Sequence, residues 1–163
     1  MMGLKKKLDY FAGEACKILF PINIDSFKGC GSSISLCSLS SIDLLLKISK
    51  LPIMDNLIIA GRLYSENKGI DQLISYCVND HRLKYVILCG KDTRGHYPGD
   101  ALIKLTQHGV DADGKILGTI APSPFLCSHK DDIDIFKKQV SIIDMRGCLD
   151  VDKISEMVYM LSS

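Results

Sequence analysis

One histidine in this sequence stands where it could do chemistry. His96 lies in "GKDTRGHYPG" (90–99), preceded by Gly95 and followed three residues later by Gly99. The loop leaves the apolar run "YVILCG" (85–90) and runs into Pro98, a residue suited to the first position of a helix. An imidazole at a strand exit can ligate a metal or pass a proton. Gly95 and Gly99 carry no side chain, so a bulky group could approach the backbone on either side of it. On spacing alone two readings stand together: a metal or cofactor ligand, and a solvent-exposed histidine in a Gly/Pro turn.

The other reactive residues make weaker cases. His108 precedes Gly109 at an expected helix end, where a cation suits the last carbonyls, and His81 and His129 fall in polar connections. None is assigned a role. Cys89 ends an apolar run beside the His96 loop, so a Cys/His pair is conceivable, but a core thiol is the favoured reading. The seven cysteines are scattered, odd in number and free of any CxxC pair, which argues against a disulfide framework and against zinc. No G-x-G-x-x-G opens a helix after the first strand, no P-loop is present, and no G-x-S-x-G elbow supports a serine triad. "GCGSS" (29–33) precedes a strand and is read as a loop.

The elements that position these residues follow from apolar patterning. Leu4, Leu8, Phe11, Ala12, Ala15 and Ile18 predict an amphipathic helix over 4–19, stopped by Pro21. Strands are expected at 33–38, 56–61, 85–90, 115–120 and 140–144. Helices are expected after Ser41, along Ile70–Val78, from Pro98, near 131–138 and along Val151–Leu161. The strands are apolar throughout, as in strands buried on both faces. Alternation of strand and helix predicts an α/β fold, Rossmann-like with three layers and a mostly parallel sheet of about five strands. Ligands of such sheets bind beyond the carboxyl ends of the strands. Three unusual loops leave such ends and should share one site: "GRLYSENKG" (61–69), the His96 loop and "APSPF" (121–125).

A chain of 163 residues with 47% hydrophobic and 24% charged content is expected to form one globular domain over 1–163. A net charge of +1 gives no reason to expect nucleic acid as a partner. No signal peptide and no membrane span is read, so a soluble, cytoplasmic protein with reduced cysteines is expected.

Four segments in matched order resemble one family: "IAGRLYSENKGIDQLI" (59–74), "YVILCGKDTRGHYPGDAL" (85–102), "HGVDADGKILGTIAPSPF" (108–125) and "FKKQVSIIDM" (136–145). They are similar to the corrinoid-binding subunit of tetrahydromethanopterin S-methyltransferase, a membrane methyltransferase complex of methanogenic archaea. The likeness covers residues 33–145, and residues 1–32 match poorly. The resemblance implies a bound cobamide, either cobalamin or the 5-hydroxybenzimidazolyl form, with cobalt carrying a methyl group from methyl-tetrahydromethanopterin to coenzyme M. It implies that His96, in K-x-x-x-G-H-x-x-G with Lys91, Gly95 and Gly99, is the lower ligand to cobalt. His96 also begins an H-x-x-G that matches part of the D-x-H-x-x-G corrinoid motif, although Arg94 stands at the Asp position.

The remaining cofactor contacts implied by the resemblance are Gly61, Arg62, Leu63, Tyr64, Ser65, Asn67 and Gly90, with Pro122, Ser123, Pro124 and Phe125 from the third loop. Ser65 could equally cap a helix, and Phe125 could equally pack in the core. A partner on the second ring nitrogen of His96 would fix its tautomer, and Asp92 and Asp100 are the carboxylates near in sequence. The family's corrinoid-binding chain ends in a membrane-spanning helix. Here the last helix is amphipathic and the final residues are polar, which favours a cytosolic homologue. Two functions are therefore carried forward: a methyl carrier working with a methyltransferase partner subunit, and a corrinoid storage or delivery module without methyl transfer of its own.

Overall fold

The computed structural model describes residues 26–163, so the helix expected over 4–19 lies outside the described residues. The strands are β1 (Ser26–Lys28), β2 (Ile34–Cys37), β3 (Leu57–Gly61), β4 (Tyr85–Leu88) and β5 (Ser141–Asp144). The helices are α1 (Ile42–Ile48), α2 (Lys68–Asn79), α3 (Pro98–His108), α4 (Lys130–Gln139) and α5 (Val151–Ser162). Sheet order is β1-β3-β2-β4-β5. Strands β3, β2, β4 and β5 run parallel, and β1 adds an antiparallel edge on β3. The expected α/β class with a mostly parallel sheet of five strands is what forms.

Burial explains the parallel core. All four residues of β2 are buried. Cys37, Val86 and Leu88 pack under Ile70, Ile74, Leu102, Leu105 and Phe136 on the face covered by α2, α3 and α4. Leu36, Ile87 and Cys89 pack against Leu45, Ile48, Ile154 and Val158 on the face covered by α1 and α5. Helices on both faces require strands that are apolar on both faces. From β2 the chain crosses to β3 on one side and returns to β4 on the other. The carboxyl ends of β2 and β4 therefore flank the point where strand order reverses, the usual seat of a ligand in such sheets.

Two expectations are corrected. The segment 115–120 is no strand: it forms only isolated bridges, Val110 with Ile116 and Lys115 with Phe125. Gly114 and Gly118 take φ of +79° and +75°, which no extended strand adopts. Leu117 and Ile120 are 42% and 67% exposed, so this run lacks the two-sided burial of the sheet. The fifth strand is instead β1, which no expectation named and which directly precedes the stretch read as loop. Gly29 and Gly31 directly after it pass so close to the main chain of Met54, Asn56 and Leu57 that a Cβ at either would collide with backbone oxygens. These glycines serve a close chain crossing, with Gly29 N and Gly31 N donating to Ile58 O and Leu57 O.

Candidate functional site

The His96 loop is built by a half-buried carboxylate and a left-handed turn. Gly90 leaves β4 with φ +74°, and its missing side chain lets Ser38 and Ser41 close in. Asp92 then turns back on the start of α3: its Oδ1 accepts Gly99 N–H and its Oδ2 accepts Asp100 N–H, each at 3.0 Å. Tyr97, immediately before Pro98, sits at φ 48°, ψ 48°. Gly99 is buried, and a Cβ there would press on the Asp92 carboxylate and the Arg146 side chain. Gly95, at φ +86°, has nothing within 4 Å of its would-be Cβ. The loop is thus anchored at its helix end and open around His96.

His96 has a partner from another strand exit. Its Nδ1 lies 3.0 Å from Glu66 Oε2. The side chain of His96 is 58% exposed and that of Glu66 only 2%. The other oxygen of Glu66 accepts Ser123 N–H at 3.2 Å. Asn67 donates from Nδ2 to Ser123 O at 3.3 Å, while its Oδ1 accepts Lys68 N–H at the start of α2. One buried carboxylate therefore joins all three expected loops. With Glu66 accepting from Nδ1–H, Nε2 is the ring nitrogen left for a metal to bind. Among the described residues no hydrogen bond engages Nε2.

Sequence proximity pointed to the wrong acids. Asp92 caps α3, and Asp100 accepts Thr119 Oγ1–H at 2.6 Å and Ile120 N–H at 3.0 Å. Neither holds His96. Glu66 is 30 residues away, between Ser65 and Asn67, and nothing in its spacing marks it.

The remaining candidates divide among three places. Gly61, Arg62, Leu63, Tyr64 and Ser65 border a groove of about 440 Å³ between β3 and α2, which His96 does not line. Arg62 Nε donates to Leu39 O, and its guanidinium lies 4.9 Å over the Tyr64 ring. Ser65 Oγ accepts Gly69 N–H at 2.8 Å in the first turn of α2. Lys91 borders a cleft of about 800 Å³ with Ser40, Thr93, Arg94 and Arg146, across the carboxyl ends of β2, β4 and β5. Its N–H donates to Ser41 Oγ, and its carbonyl accepts from Ser40. Arg146 grips Asp144 through Nε and Nη2, both at 2.9 Å, which holds the Asp144 carboxyl below its ordinary range and raises the guanidinium. In the third loop Pro124 is buried, Pro122 and Ser123 are exposed, and Phe125 is 48% exposed with Lys115 Nζ 5.9 Å over its ring.

Three of the described thiols, Cys37, Cys77 and Cys89, lie in the core. Cys89 is fully buried, and burial pushes its thiol far up, as it pushes Cys37 and Cys77 up to about 12. A thiolate nucleophile at Cys89 is thereby disfavoured. Among the described residues no group of three His, Cys, Asp or Glu could hold a metal ion. No described helix is long and apolar enough to cross a membrane.

Fold and site together define a doubly wound α/β domain that presents one carboxylate-held imidazole at the carboxyl end of its sheet. The family model for the MtrA subunit of tetrahydromethanopterin S-methyltransferase matches residues 32–163, and the chain belongs to that family. Relatives named for the same subunit of tetrahydromethanopterin S-methyltransferase include one from Methanocaldococcus jannaschii, 31% identical over 61% of this chain and 42% of its own length. In Methanothermobacter marburgensis the form numbered 1 is 32% identical over 68% of this chain and 48% of its own. In Methanothermobacter thermautotrophicus the form numbered 2 is 28% identical over 66% and 60%. The chain spans about half the length of the curated relatives it matches.

Proposed function

We propose that this domain binds a cobamide, cobalamin or its 5-hydroxybenzimidazolyl counterpart, and serves as the cofactor-carrying component of a methyltransferase. The observation that carries the reading is the pair formed by an exposed His96 and a buried Glu66. Metal-binding histidines characteristically give their second ring nitrogen to such an acceptor.

The residues fit the group. A cobalt already held by a tetrapyrrole-like ring would call on the protein for a single nitrogen, and His96, with a largely exposed side chain and Nδ1 engaged by Glu66, could give Nε2, with no further ligand set around it among the described residues. A flat macrocycle needs clearance, and Gly95 offers open space next to the imidazole. A bound cobamide would supply the methyl-transfer chemistry, for which the family resemblance implies methyl-tetrahydromethanopterin as donor and coenzyme M as acceptor.

The protein's part is to bind and orient. Glu66 fixes the Nδ1–H tautomer of His96 and enriches the electron density at Nε2. Asn67, Ser123 and Phe125 flank the same carboxylate-centred junction and form the near wall of the site. Gly61, Arg62, Leu63, Tyr64 and Ser65, at and just beyond the end of β3, border the neighbouring groove and would serve the outer parts of the cofactor, while Gly90, Lys91 and Gly99 shape the His96 loop and Pro122 and Pro124 stiffen the third. Methyl donor and acceptor reach the site on partner subunits, in keeping with relatives that are each named as one subunit of a methyltransferase. The described cysteines are all free, which suits the reducing cytoplasm.

The test is retention of hydroxocobalamin. Wild type and His96→Ala are mixed with it, freed of excess, and their visible spectra compared. Wild type should retain corrinoid with a spectrum that the substitution changes. A folded wild type that retains none would end this reading.

A further inference from the structure

The segment that replaces the expected strand is pinned tightly for irregular chain. Asp100, in the first turn of α3, accepts both Thr119 Oγ1–H (2.6 Å) and Ile120 N–H (3.0 Å) on Oδ2. Thr119 Oγ1 accepts Ala121 N–H at 3.1 Å. Three residues on, Glu66 and Asn67 hold Ser123. Yet the side chain this fixed loop displays, Ile120, is 67% exposed, the most exposed large hydrophobic among the described residues. Leu117 (42%) and Phe125 (48%) lie exposed on the same segment. Exposed apolar side chains on a hydrogen-bonded loop are suited to binding, because little ordering entropy remains to be lost.

We propose that Ile120 is a contact residue for the cobamide macrocycle and that Asp100 is a positioning residue that holds it in place. The inference rests on the cobamide reading above. Position favours this occupant: Ser123 and His96 Nδ1 share the two oxygens of one carboxylate, and Asp100 follows His96 by four residues. The loop is thus tied to the imidazole's own support at one end and, at the other, to the helix that follows the imidazole loop. Ile120 supplies an apolar wall for a flat, largely apolar ring, while Asp100 acts through the loop.

Two readouts test it. In the cofactor-free protein, Asp100→Asn should speed hydrogen exchange at the Ile120 amide by about tenfold while the melting temperature stays near wild type. In hydroxocobalamin titrations, Ile120→Ser and Asp100→Asn should each raise Kd by about fivefold or more, with the spectrum of the bound form unchanged because His96 still ligates. Thr119→Ser, which keeps the hydroxyl, should bind like wild type, and Thr119→Val should weaken binding as Asp100→Asn does. Tight binding by wild type and Ile120→Ser alike would overturn the proposal and leave the patch to a protein partner. Failure of wild type to bind would overturn the cobamide reading and this inference with it.

Discussion

Glu66 Oε2 lies 3.0 Å from His96 Nδ1, and Glu66 Oε1 takes the N–H of Ser123 at 3.2 Å. A side chain only 2% exposed thus uses both oxygens, one on the imidazole and one on the third loop. Burying a carboxylate is unfavourable unless such partners satisfy it, so the arrangement is stable only with all three groups present.

Removing the carboxylate should therefore act on both partners. Glu66→Ala leaves the Ser123 N–H without its acceptor, a cost of about 1–3 kcal/mol in urea unfolding. Glu66→Gln keeps hydrogen-bonding capacity but not the charge. It should weaken hydroxocobalamin binding by about 10- to 100-fold, the usual penalty for losing the partner of a metal-bound histidine. Wild-type affinity in Glu66→Gln would show that His96 does not depend on this carboxylate.

Asp92 should prove structural. It caps α3 through Gly99 and Asp100, so Asp92→Ala should cost about 1–2 kcal/mol in urea unfolding, and Asp92→Asn, a competent cap, only a few tenths. Equal losses for the two would mean that charge rather than capping holds the helix start.

Thiol reactivity should sort by burial. With iodoacetamide on the native protein, exposed Cys30 and Cys127 should alkylate while Cys37, Cys77 and Cys89 stay protected until unfolding, as peptide mapping would reveal. The raised thiols also set an alkaline limit. Their folded-state affinity for a proton exceeds the unfolded one, so the stability they give is complete below the unfolded value of about 8.5. It falls as pH rises from there toward about 12, the value reached by Cys37 and Cys77. Cys77→Ala should flatten this alkaline loss, and an unchanged slope would contradict it.

At the acid end the sign reverses. Arg146 lowers the Asp144 carboxyl in the folded protein, so its contribution is present above the unfolded value of about 3.9 and fades as pH drops through and below it. The pair is partly exposed, with Asp144 45% accessible, so the effect should be modest. The difference in urea midpoint between wild type and Asp144→Asn should shrink between neutral pH and pH about 3. A constant difference would assign it to packing.

Strands β2 to β4 were legible because each is a short apolar run buried on both faces, β5 because Ile142 and Ile143 mark it although its ends are exposed, and the alternation around them left little choice of architecture. The run at 115–120 imitates such a strand in composition. Its Gly118 backbone and the claim of Asp100 on Thr119 and Ile120 divert it from the sheet, and both are tertiary facts. β1 escaped notice because its three residues have burial supplied by β3 rather than by a pattern of their own. His96 was legible from its glycines and from the family resemblance. Glu66 was not, because its role arises only when two strand exits meet in space.

The central proposal is that His96 Nε2, in place of the nitrogen of the cofactor's own base, ligates cobalt. It is tested most directly by electron paramagnetic resonance of the Co(II) cobamide bound to protein whose histidines are labelled with nitrogen-15. Unlabelled protein should show each cobalt line split into a triplet by the axial nitrogen, and labelling should convert the triplets to doublets. Triplets that survive labelling would place the cofactor's own base, not His96, on the metal.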